Sequence, residues 1–118
     1  MDVLEFVKAV NPADIRVSKM HGNTHDLTIT IRKKIKSSPA EAIILAENLA
    51  SFWPFCTYKV SEIKSGYKQI EVEYKIKRAE MQKFFSHISE ILRQNDKISK
   101  LIKSCLFNIC KEMPASDR

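Results

Sequence analysis

The chain has 118 residues, 44% of them hydrophobic and 29% charged, with a formal net charge of +6. That length buries one core without disulfide or metal staples, so a single domain over residues 1–113 with a short flexible tail over 114–118 is expected. Only two glycines, Gly22 and Gly66, occur, which excludes a glycine-rich phosphate cradle, and no apolar run approaches the roughly 20 residues that span a bilayer.

The opening MDVLEFVKAV carries Asp2, Glu5 and a single lysine, Lys8. A signal peptide needs a positive start followed by an unbroken apolar run, and this segment offers neither. Residues 2–10 place Val3, Phe6, Val7 and Val10 at helical spacing, with Asp2 available to cap. Asn11-Pro12 breaks that pattern, because proline disfavours α conformation in the residue before it. An alternating run, Ile15 to Met20, and a second, Leu27 to Arg32, flank the polar stretch His21-Gly22-Asn23-Thr24-His25-Asp26, which predicts a β-hairpin.

Ser38-Pro39-Ala40-Glu41 is a helix start: serine caps, proline suits the first helical position and Glu41 stands where a capping box wants it. The helix is predicted to run to Trp53, where Pro54 stops it. Its surface is apolar almost all round, the pattern of a helix buried against a sheet. The second half repeats the plan. Cys56 to Ile63 reads as a strand, Lys64 to Lys68 as a turn, Gln69 to Lys77 as a second strand, and Arg78 to Arg93 as a helix burying Phe84, Phe85, Ile88, Ile91 and Leu92.

The two halves lie on each other, Ile29, Ile31 and Ile35 opposite Ile70, Val72 and Ile76. The expected fold is therefore α+β: an antiparallel sheet from two β-hairpins in a ββα–ββα pseudo-repeat, with an N-terminal helix and an extra C-terminal amphipathic helix. Helices should cover one face of the sheet. Asn95-Asp96 either kinks the chain or caps that last helix, which runs from Asp96 to Glu112.

Residues that could carry chemistry are few. His21 and His25 are four apart, but in a glycine-containing turn and without a third ligand beyond Asp26, so turn chemistry explains them better than metal. The three cysteines, Cys56, Cys105 and Cys110, sit among apolar neighbours, which raises a thiol's pKa, so a nucleophile is not expected. Reduced thiols also point to the cytoplasm. Glu71 and Glu73 share a strand face with Lys75 and Lys77 and read as a solvated ion-pairing ladder. No catalytic constellation, metal site or cofactor site emerges.

Charge is uneven: 7 basic against 6 acidic residues precede Pro54, and 13 against 8 follow it. Strand alternation sends Leu27, Ile29, Ile31 and Ile35 to the core. It leaves Arg16, Arg32, Lys34, Lys36, Lys59, Lys75 and Lys77, with Ser18, Thr28, Thr30, Thr57 and Ser61, on the open face. Such side chains contact phosphates, so a non-catalytic module binding nucleic acid through the duplex backbone, a small regulatory factor, is the first expectation. The second is a protein-interaction module (adaptor, chaperone or inhibitor) using a sheet edge or the C-terminal stripe Ile98, Leu101, Ile102, Cys105 and Ile109 against a homodimer or other protein partner. No membrane partner is expected.

Overall fold

A computed structural model describes residues 1–19 and 27–112, apart from the side chains of Lys19 and of residues 105–112. The histidine-bearing turn and the C-terminal tail lie outside the described residues. The elements follow in the order α1 (Val3–Ala9), β1 (Ile15–Lys19), β2 (Leu27–Lys36), α2 (Pro39–Ala50), β3 (Cys56–Lys64), β4 (Tyr67–Ile76), α3 (Met81–Leu92) and α4 (Asp96–Glu112). Short 3₁₀ turns at Pro12–Asp14 and Arg78–Glu80 lead into β1 and α3.

The sheet has the order β1-β2-β4-β3, antiparallel throughout. β2 and β4, ten residues each, form the centre. The connection through α2 carries the chain from β2 past the position of β4 to the far edge, and the β3–β4 hairpin then brings it back. Alternation works as the sequence implies: Leu27, Ile29 and Ile35 of β2 and Ile70, Val72, Tyr74 and Ile76 of β4 are buried against the helices.

Helix starts follow local chemistry. Asp2 Oδ1 accepts from the Glu5 backbone N–H at 2.8 Å, and Ser38 Oγ from Glu41 N–H at 3.3 Å, each satisfying a donor that the first turn leaves free. α2 ends at Ala50, three residues short of the expected Trp53. The chain turns there because Trp53 swings inward. Its indole Nε1–H donates to the Lys75 carbonyl at 2.9 Å, and its ring packs edge-on against Phe84 with centroids 5.1 Å apart. Nor is α2 buried all round: Ala42, Leu45, Ala46 and Leu49 face the sheet, while Ile43 and Ile44 are 43% and 57% exposed. β4 starts at Tyr67, two residues earlier than expected, after a turn closed by Gly66 at φ +80°.

Asn95 ties the ends of the chain together. Its Nδ2 donates to the carbonyls of Val7 and Val10, at 2.9 and 2.8 Å, while its Oδ1 accepts from Ile98 N–H at 3.3 Å. One side chain thus satisfies two carbonyls at the end of α1 and caps α4 as a fresh helix. Asn95→Ala should lower the unfolding free energy by about 2 kcal/mol in urea titrations. Asn95→Asp keeps the capping oxygen but not the donors, and should recover no more than about 1 kcal/mol of that loss.

Candidate nucleic-acid interface

All four helices leave the second face of the sheet open, and the register decides which side chains share it. Reading from β1 to β3, one row runs Arg16, Thr30, Glu73, Thr57. The next holds Arg32, Glu71 and Lys59, and the one beyond it Lys34, Gln69 and Ser61. On the other side of the first row lie Ser18, Thr28 and Lys75. The part from β1 to β4 forms a shallow concavity of about 580 Å³ lined by these polar side chains, with Asp14 and Lys33 joining them.

Two of the expected cations are already paired. Arg32 Nη2 lies 3.0 Å from Glu71 Oε1, and Lys75 Nζ 4.0 Å from Glu73 Oε1. The ladder expected along β4 is therefore only partly present, because the antiparallel register sets Arg32 directly opposite Glu71 and that pair forms across the sheet instead. Arg16, Lys34, Lys36 and Lys59 have no ion pair among the described residues. Lys77 lies past the end of β4, its ammonium 6.0 Å from the centre of the Phe55 ring. The structure thus places Arg16, Arg32, Lys34, Lys36, Lys59 and Lys75 on one open face and leaves Lys77 at its margin.

Tyr67 was missed by sequence reasoning, which assigned it to a turn. It opens β4 in phase with Gln69 and Glu71, opposite Lys36, and is 38% exposed, with the Lys64 ammonium 4.7 Å from its ring centre. Continuing the alternation two residues back from Gln69 was the signal that could have found it.

The C-terminal stripe is differently spent. Ile98 and Ile102, expected to meet a partner, are each 1% exposed and belong to this chain's own core, and Leu101 is half-buried. They are needed there because α4 packs beside α3 and its Ile98 and Ile102 complete the core cluster. The side chains of Cys105 and Ile109 lie outside the described residues.

The remaining reactive groups are quiet. Burial, reinforced by the Glu73 carboxylate, pushes the Cys56 thiol up to about 12. Burial also holds Tyr74 well above its ordinary value, and its hydroxyl donates to the Leu49 carbonyl at 2.6 Å. His87 Nδ1 donates to the Lys83 carbonyl at 2.9 Å while the ring rests edge-on against Trp53. Among the described residues no three His, Cys, Asp or Glu side chains come together as a metal would require. Nor is any helix among them long and apolar enough to cross a membrane.

Comparison with known protein families, with curated proteins and with solved structures finds no match to this chain.

The Cys56 shift gives a direct check. With Cys105→Ser and Cys110→Ser in place, the thiolate fraction of Cys56 at pH 7 should be on the order of 10⁻⁵, so its reaction with a disulfide reagent should be very slow and should rise about tenfold per pH unit with no plateau up to pH 10. A thiol held protonated in the folded state also loses stability as pH rises. The loss begins at the unfolded value of 9.0 and continues up to about 12, and Cys56→Ala should flatten that part of the alkaline unfolding curve.

Proposed function

We propose that this chain is a non-catalytic binding module, a small regulatory factor that holds nucleic acid against the open face of its sheet. The observation that carries this reading is one face on which the described residues place six cations, Arg16, Arg32, Lys34, Lys36, Lys59 and Lys75, against Glu71 and Glu73 on the strands and Asp14 beside them, with Ser18, Thr30, Thr57 and Ser61 in between. Alternate residues on a strand stand about 6.8 Å apart, a spacing comparable to successive phosphates, and hydroxyls and ammonium groups are the side chains that contact them.

A duplex backbone is the favoured ligand. Single-strand platforms stack several bases on outward aromatics, and among the described residues of this face Tyr67 is the one ring. Both halves of the chain contribute cations. We read the two hairpin–helix units as copies of one plan, a reading supported by the order β1-β2-β4-β3, in which each hairpin gives its first strand to an edge and its second to the centre.

Fluorescence anisotropy with labelled duplex across a salt titration tests the proposal. Four cations without an ion pair among the described residues predict a slope of log K against log salt of about −3.6. Reversing Arg16, Lys34, Lys36 and Lys59 to glutamate should abolish binding. Glu71→Gln with Glu73→Gln, which releases Arg32 and Lys75, should tighten it and steepen the slope by roughly one or two. Absence of binding at low salt would remove the nucleic-acid reading.

A further inference from the structure

β3 is a nine-residue edge strand, and among the described residues its pairing is with β4 alone. Two hydrogen bonds fix which way its backbone points. Lys75 N–H donates to the Phe55 carbonyl at 2.9 Å, and Ser37 N–H to the Gly66 carbonyl at 3.0 Å. In an antiparallel ladder a residue that bonds its opposite number uses both backbone groups, and its neighbours turn theirs the other way. With the observed register, the first bond makes Thr57, Lys59 and Ser61 the residues that bond β4. The second, on the other side of β4, requires Ile70, Val72 and Tyr74 to bond β2 and so leaves Gln69, Glu71 and Glu73 for β3. The two agree. Cys56, Tyr58 and Val60 therefore direct their N–H and C=O groups at the open edge, and a register shift between Glu62 and Lys64 ends the regular stretch.

Beside that edge lies an apolar shelf. Tyr58 is 43% exposed, and its hydroxyl donates to Glu47 Oε1 of α2 at 3.3 Å. Ile43, one turn before Glu47, shares that side of α2 and is also exposed. Unpaired backbone flanked by exposed apolar side chains is what strand addition uses, the backbone supplying affinity and alternate side chains selectivity.

Charge chooses the occupant. Of the nearby acids, Glu62, Glu71 and Glu73 have the cationic partners Lys68, Arg32 and Lys75, while Glu47 keeps its carboxylate on the α2 side, where the Tyr58 hydroxyl holds it. Lys59, mid-strand, has no ion pair among the described residues, and Lys64 and Lys77 at the two ends stand over aromatic rings. We propose that β3 is the docking edge for an extended, acidic segment of a partner protein. It adds as a fifth strand, with apolar side chains over Tyr58 and Ile43 and carboxylates beside Lys59. A second copy of this chain, itself at +6, would bring the same lysines to the same edge. The edge shares Lys59 with the open face, but the outward backbone groups of Cys56, Tyr58 and Val60 belong to the edge alone, so Val60→Pro should weaken the peptide and leave duplex binding unchanged.

The test uses the full chain and a short fluorescein-labelled peptide of alternating valine and glutamate, with alternating valine–lysine and N-methylated valine–glutamate peptides as comparisons. The valine–glutamate peptide should bind, and each comparison should bind at least about tenfold more weakly. Val60→Pro removes an N–H that points away from β4, so it should leave circular dichroism and Tm near those of Val60→Ala and still weaken the peptide by roughly tenfold or more. Lys59→Glu should reverse the preference between the two charged peptides, a readout independent of how Val60→Pro folds. No binding, equal binding of both charged peptides, or a preference unmoved by Lys59→Glu overturns the proposal. So does a dimer in sedimentation that Val60→Pro dissociates, which would make the occupant a second copy.

Discussion

The ten-residue antiparallel register between β2 and β4 is the constraint on which the rest of the molecule depends. It pairs Ile29 with Tyr74 and Ile31 with Val72, and it places Thr30 opposite Glu73 and Arg32 opposite Glu71. Side chains alternate with a period of two, so a slip of one residue in either strand would carry an apolar set to the open face and a charged set into the core. Burial of one face therefore specifies the composition of the other. The basic face need not have been assembled residue by residue. It is the complement of the core.

Helices are held to the covered face by side chains that reach backbone. Trp53 bonds the Lys75 carbonyl at the end of β4, and Tyr74 bonds the Leu49 carbonyl of α2. Phe84 of α3 lies against both rings, with centroids 5.1 and 5.6 Å away. These contacts lock α2 and α3 over the centre, and Asn95 then joins α1 to α4. Because α2 lies over β3 and β4 and gives only one side to the sheet, it leaves Ile43 and Ile44 outside, and among the described residues no strand pairs with the outer edge of β3. The open face and the open edge follow from one packing decision.

Much of this was legible in the residues. Leu27, Ile29, Ile70 and Val72 announce their strands by alternation, and Asp2 and Ser38 their helices by capping, because these signals are local. What could not be read depends on position in three dimensions. The sheet order that puts β3 at an edge is invisible to a pattern of period two. Ile43 and Ile44 look like core in a helix apolar all round, and only the width of the sheet beneath α2 shows that there is no room to bury them. Ile98 and Ile102 carry the same stripe whether they face a partner or their own chain. For the basic face, alternation identified Arg16, Lys34, Lys36 and Lys59 correctly as outward, but the pairing of Arg32 with Glu71 required the register.

On this account the molecule offers two surfaces of opposite kind: a broad basic face suited to a polyanion and a narrow edge suited to a strand. The central claim concerns the face, and it is tested most directly by titrating a short duplex into ¹⁵N-labelled protein and following amide shifts. Perturbations confined to the four strands around Arg16, Thr30, Lys34, Lys59 and Gln69, with α3 and α4 unmoved, are the predicted result. Shifts concentrated on the helices, or none at low salt, would contradict it.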